Sequence, residues 1–278
     1  MKIAFFGTPR LAQIVLENLI QSPYKPSLIV TAPDAKSGRG QKVTASPVKQ
    51  TATENKIEVS TRTVLDLNID LDLAILVAYG QIIPKRILEI PKFGFINIHP
   101  SLLPKYRGPS PIQTAILDGE EITGVTIIKL DEELDHGPFL AQEKVTIKKT
   151  DTHLTLIEKL GAIGSNLLLE TLPDYISGKV KLQEQNHAKA TTTKKITKED
   201  SKIDLLNPPN LPVLDRMIRA YYPWPGVWTR LIVNGSQFTV KLLPQNVIQL
   251  EGKRPLTLTQ FKNGYPKIYE QIKNLLTQ

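Results

Sequence analysis

The chain has 278 residues, 41% of them hydrophobic, and a formal charge of +8, which suits one large or two modest globular domains. It contains no cysteine, which excludes disulfides, Cys-ligated zinc and a thiol nucleophile and fits a reducing, cytoplasmic setting. No apolar run reaches the roughly 20 residues of a membrane span, and the apolar opening at residues 1–7 is too short for a signal segment. The charge is uneven: residues 179–278 hold 16 Lys/Arg and 7 Asp/Glu, against 19 and 20 before them. A near-neutral front and a basic rear third imply a catalytic body with a polyanion-binding appendage.

In chain order, residues 2–6 form a short apolar run, broken by Gly7 and Pro9 and followed by Leu11, Ile14, Val15 and Leu19 at helical spacing. Strand, turn, helix opens a doubly wound fold. The glycine spacing of a dinucleotide site is absent, so no NAD is expected. Residues 27–31 read as a second strand, and residues 32–46 as a long irregular basic loop with Lys36, Arg39 between two glycines, and Lys42. Such a loop invites a phosphate backbone, although spacing alone slightly favours an ordinary mobile loop. Ser46-Pro47 starts a helix.

Residues 71–78 are a buried strand ending in a turn at Tyr79-Gly80, and a short helix follows near Arg86. In the next strand Phe95, Asn97 and His99 alternate with Ile96 and Ile98, so period two places the amide and the imidazole on one face where the strand ends. Ligands bind at the carboxyl ends of strands in open α/β sheets. Residues 111–117 are a short helix, 123–130 and 139–147 are strands, and between them Asp135 sits in a loop constrained by Gly137-Pro138. Residues 151–172 form a long helix with Leu154, Ile157, Leu160 and Leu168 on one face and Pro173 as its stop. This alternation predicts a mostly parallel sheet with right-handed crossovers.

Residues 183–202 turn polar and read as a basic linker. After it come a helix at 213–220 and short alternating strands at 229–233, 237–243, 247–250 and 256–259, the pattern of a small β-barrel. The expected division is therefore a domain at 1–182, the linker at 183–202 and a second domain at 203–278. Of the four histidines only His99 lies in a chemically suggestive setting, and none pairs at a metal-ligand spacing, so no metal is expected.

Asn97-x-His99, the run 101–112 and the loop Leu134-Asp135-His136-Gly137 together resemble the signature of the 10-formyltetrahydrofolate-dependent formyltransferases. The resemblance covers nearly the whole chain. It implies a Rossmann-like formyltransferase domain with Asn97, His99 and Asp135 as the catalytic set. It also implies a folate pocket at Val77, Ala78, Tyr79, Gly80, Ile82, Ser101, Leu102, Leu103 and Pro104. Within the family, Gly38-Arg39-Gly40, the segment 195–200 and Arg219 to Gly226 are similar to the branch acting on methionyl-initiator tRNA. That similarity implies tRNA contacts at Arg39, Lys36, Lys42, Lys194, Lys195 and Lys198 and a C-terminal OB-like tRNA-binding barrel, here shortened after Val240. The implied protein is a cytoplasmic monomer using 10-formyltetrahydrofolate and no metal. Sugar-nucleotide formyltransferases, which also carry extra C-terminal domains, are the nearest competitor.

Overall fold

The structure, a computed structural model, describes residues 1–37, 42–61 and 70–276. It divides into two compact units. The first comprises Met1–Pro111, Ile122–Thr146 and Leu156–Lys194, and the second Ile112–Glu121, Ile147–Thr155 and Lys195–Gln278.

The elements run β1 (Ile3–Gly7), α1 (Arg10–Ile20), β2 (Leu28–Val30), β3 (Ala35–Ser37), β4 (Lys42–Thr44), α2 (Pro47–Glu54) and β5 (Glu58–Ser60). Then come β6 (Leu73–Val77), α3 (Lys85–Leu88), β7 (Phe95–His99), α4 (Pro111–Leu117), β8 (Ile122–Lys129), β9 (Phe139–Thr146) and α5 (His153–Ile176). Seven strands of the first unit form one sheet in the order β5-β2-β1-β6-β7-β8-β9. The first five are parallel, and β7, β8 and β9 pair antiparallel. β1, β6 and β7 are buried at every position, as central strands covered on both faces must be. Ser46 caps α2 by accepting the Lys49 N–H, with Pro47 in the first turn.

Three local expectations are corrected. The stretch after β2 is not wholly irregular, because β3 and β4 pair antiparallel, Lys36 opposite Val43. Pro173 does not stop α5, which continues to Ile176 with the Ser177 N–H on the Pro173 carbonyl. The packed row of α5 is Leu156, Leu160, Gly164, Leu168 and Leu172, while Leu154 is exposed. Glycine explains the shift: a Cβ at Gly164 would lie 2.9 Å from Ile98 Cγ2, so the helix rests directly on β7 there. That contact occupies the isoleucine face of β7 and leaves Asn97 and His99 to the other.

In the second unit come α6 (Leu211–Ala220), β10 (Val227–Val233), β11 (Ser236–Leu243), β12 (Val247–Leu250), β13 (Leu256–Thr257), α7 (Leu258–Gly264) and α8 (Pro266–Ile272). The four strands form an antiparallel meander. Asn234 and Gly235, both at positive φ, make the two-residue turn between β10 and β11. The core joins Val227, Val240, Leu242 and Ile248 to Phe261 and Ile272 of the two helices. The small β domain is thus present, but among the described residues β10 and β13 are not paired, so the sheet is open rather than a closed barrel. Thr257 forms a capping box with Gln260 and turns the chain into α7 where a strand through residue 259 was expected.

The polar stretch from residue 183 is pinned over its first part. Gln183 bridges Phe139, and Thr192 bridges Arg107.

Candidate active site

Asn97 and His99 lie on β7, both buried, where the sheet turns from parallel to antiparallel. Asp135 comes from the loop joining β8 and β9, closed by the Lys129 N–H on the Pro138 carbonyl. Its backbone is left-handed at φ +49°. Gly137 is required there, because a Cβ would overlap the Lys129 carbonyl oxygen.

The three side chains converge. Asn97 Nδ2 donates to Asp135 Oδ1 at 3.2 Å, an orientation of the amide that chemistry fixes, since a carboxylate only accepts. Asp135 Oδ2 accepts the Gly108 N–H at 2.7 Å and lies 3.5 Å from His99 Nδ1. His99 Nε2 is 2.9 Å from the Tyr106 carbonyl, which also only accepts, so that nitrogen carries a proton. His99 Nδ1 then faces Asp135 Oδ2 across 3.5 Å. Both ring nitrogens are engaged, so the amide of Asn97, with one hydrogen on Asp135, keeps the other for a ligand.

These groups open on a cleft of about 520 Å³ with an apolar wall that includes Leu76, Ile83, Leu88 and Leu130. Ala78, Tyr79, Gly80 and Ile82 also line it. Positive φ at Ala78 and Gly80 bends the chain around the cleft after β6. Tyr79 packs edge-on against Phe6, and its hydroxyl is buried without a partner among the described residues. Burial pushes the Tyr79 pKa above the usual phenol value.

The other expected folate residues, Val77 and 101–104, are not among those that line this cleft. Val77 is wholly buried in β6. Ser101 donates to the Lys105 carbonyl, and the Leu103 N–H donates to Thr126 Oγ1, which itself donates to the Ser101 carbonyl. Leu102 packs so close to Gly124 that no Cβ would fit there, and the Pro104 carbonyl accepts the Thr191 N–H. These bonds brace the turn after β7.

Of the residues expected to meet tRNA, Arg39 lies outside the described residues. Lys36 and Lys42 are exposed on the β3–β4 pair. Lys194 is exposed in the first unit, and Lys195 and Lys198 are exposed in the second. Lys198, Lys202 and Arg230 stand 5.1, 5.6 and 5.2 Å from the centre of the buried Trp228 ring. Sequence reasoning singled out neither Lys202 nor Arg230. Lys202 reaches the indole through a bridge to Trp228, and Arg230 lies two residues on along β10. It also missed the backbone of Tyr106 and Gly108, and Gln185 in the polar stretch. His136 bonds Asp131 Oδ2 at 2.7 Å and stacks on His187 with ring centres 3.9 Å apart. Among the described residues no cluster of three or more His, Cys, Asp or Glu is arranged to hold a metal.

A profile of the formyl transferase family matches residues 1–172. A methionyl-tRNA formyltransferase of Chloroflexus aggregans is 41% identical over 237 residues, covering 82% of this chain and 76% of the relative. The chain belongs to the methionyl-tRNA formyltransferase family. A member from Acidobacterium capsulatum is also 41% identical, over 86% of this chain and 79% of its own. Among solved structures, the Helicobacter canadensis N-formyltransferase in complex with folinic acid and dTDP-3-aminofucose shares the fold. Its TM-score is 0.64 at 19% identity, over 89% of this chain and 94% of that one. No described helix of this formyltransferase is long and apolar enough to cross a membrane.

Proposed function

We propose that this chain transfers the formyl group of 10-formyltetrahydrofolate to the α-amine of methionyl-initiator tRNA, as a cytoplasmic monomer without a metal. The observation that carries the reading is the convergence of Asn97, His99 and Asp135 on one cleft in a chain of this family. The cleft suits the folate: about 520 Å³ falls in the range of small-molecule pockets, and its wall is apolar.

The amine attacks the formyl carbon, and the carbonyl oxygen takes up the electron pair of its π bond. The tetrahedral adduct then collapses, the bond to folate N10 breaks, the attacking nitrogen loses a proton and N10 gains one. The products are formyl-methionyl-tRNA and tetrahydrofolate. Asn97 donates its second amide hydrogen to the developing oxyanion, a contact of a kind worth about 3 kcal/mol of barrier. In its protonated form His99, held between Tyr106 and Asp135, places positive charge beside it. Asp135 holds both side chains and relays the proton through water.

Purified protein given formyl-folate and either Met-tRNA or an amino-sugar nucleotide tests the reading. Formylated Met-tRNA is expected. Product from the sugar nucleotide alone would overturn the substrate assignment, and formate alone would overturn transfer. Light scattering on a sizing column measures the oligomeric state.

A further inference from the structure

Asp135 is held by more than its carboxylate. Gln185 Nε2 donates one hydrogen to the Asp135 carbonyl at 2.9 Å and the other to the Gly137 carbonyl at 2.8 Å. Both amide donors are thus spent on the two ends of the left-handed turn that presents the carboxylate. Gln185 is only 4% exposed. Its Oε1 accepts from Arg107 Nη2 at 2.8 Å. Since a guanidinium only donates, this contact fixes which way the amide faces. Flipping it would turn the oxygen onto two carbonyls.

Arg107 is an uncommon residue to find there. It is buried, and among the described residues its Nε has no partner and no carboxylate lies within ion-pair distance of it. Nη2 also meets His187 Nδ1 at 2.8 Å. A buried cation without a counter-ion is costly as a structural element. Its backbone is strapped on both sides: its N–H donates to the Thr191 carbonyl, and its carbonyl accepts the Thr193 N–H. The residues on either side are Tyr106, whose carbonyl holds His99, and Gly108, whose N–H holds Asp135. One tripeptide therefore touches His99 and Asp135 by backbone and, through Gln185, links its Arg107 side chain to the turn that carries Asp135.

Resting on the function proposed above, we infer that Arg107 and Gln185 are positioning residues for formyl transfer, and that residues 185–193 are a strap setting the pose of Asp135 and His99. They touch no reacting atom. They act through Asp135, so removing them lowers turnover and leaves folate binding in place.

The test is a double-mutant cycle. Gln185→Ala should lower kcat for formylation about ten- to a hundredfold, the usual effect of a displacement near 1 Å, with KM for formyl-folate nearly unchanged. Asp135→Asn should mask it: the double variant should match Asp135→Asn alone, because Gln185 has nothing left to position. Arg107→Ala should resemble Gln185→Ala, and Arg107→Lys, which restores a charged donor to Oε1, should recover most of the activity. Binding of 5-formyltetrahydrofolate and the melting temperature are read on every variant. A Gln185→Ala protein that melts and binds like wild type but turns over at the wild-type rate overturns the inference. So does an effect that stays fully additive with Asp135→Asn, or one confined to KM. If Gln185→Ala does not fold, Arg107→Lys against Arg107→Met decides by the same cycle. Asn97→Ala is the control: full activity there would sink the active-site reading itself, whereas an inactive Asn97→Ala beside an unaffected Gln185→Ala sinks only the strap.

Discussion

Asp135→Asn is the sharpest perturbation of the proposed chemistry, because it changes one atom and removes one charge. Asp135 Oδ2 accepts from Gly108 and Oδ1 from Asn97, so an amide must set an N–H against an N–H in either orientation. If its nitrogen faces Gly108, the turn is pushed away. If it faces Asn97, the donor meant for the oxyanion is displaced. A hydrogen bond to a charged group contributes about 1.5–3 kcal/mol. Asp135 Oδ2 also lies 3.5 Å from His99 Nδ1, and with His99 protonated a charge pair at that distance is worth about 4–5 kcal/mol at an effective dielectric of ~20. These overlap rather than add, and about 4 kcal/mol in the transition state is close to three decades of rate. Single-turnover formylation of Met-tRNA should therefore slow about a thousandfold. Binding of formyl-folate, measured at equilibrium, should move only a fewfold, since the apolar wall is untouched. A variant that keeps more than about a tenth of the rate would refute the assignment of Asp135.

Asn97→Ala should cost about 10²–10³ in kcat with KM for formyl-folate nearly constant, read by steady-state kinetics. Gly137→Ala should leave secondary structure intact by circular dichroism but abolish turnover, because its Cβ must push off the Lys129 carbonyl and shift the turn. His153 has its pKa lowered to about 4 by burial, partly offset by a hydrogen bond with the Tyr222 backbone. The unfolded chain takes up that proton at a higher pH than the folded one. Stability should then be full above about pH 6.5 and fall by up to roughly 3 kcal/mol between there and pH 4; urea melts should show His153→Gln flattening that slope. Replacing Lys198, Lys202 and Arg230 together by Ala should weaken all tRNAs alike. The slope of log affinity against log salt should fall by about 0.7–0.9 for each phosphate that is no longer neutralised.

The periodicity of residues 95–99 was enough to put Asn97 and His99 on one face, and the buried runs of β1, β6 and β7 marked the central strands. Glu58–Ser60 was not legible: three residues with only partial burial carry no pattern, and their pairing with β2 is decided by the sheet. α5 was found, but its packed face was misplaced because a hydrophobic count ignores glycine, and Gly164 is where the helix comes nearest the sheet. α7 and α8 were missed because Leu256 to Thr259 alternates like a strand, while the Thr257 cap needs Gln260 in place to be recognised. At the site, the side chains with a motif were readable. Contacts made by backbone, such as Gly108 on Asp135, carry no residue preference beyond the glycine itself. Gln185 lies in a polar run where nothing distinguishes it from its neighbours.

The direction of β8 explains why the carboxylate comes from this loop. An alternating α/β pattern implies parallel crossovers, and a parallel β8 would have delivered its following loop beyond His99. Instead β8 runs antiparallel, with Ile96 opposite Lys129 and His99 opposite Thr126. It ends beside the start of β7, where the Leu130 N–H meets the Phe95 carbonyl. The loop to β9 must therefore lean back over the face of β7 to reach Asn97 and His99. That return accounts for the left-handed Asp135, for the glycine pressed against Lys129, and for the presence of Leu130 and Leu134 in the cleft wall. A loop that leans over a sheet has no strand partner to fix it, and its polar groups need others. Gly108 and Asn97 take the carboxylate and Gln185 takes the carbonyls. The reversal that makes the sheet mixed is thus also what makes a strap behind the loop necessary.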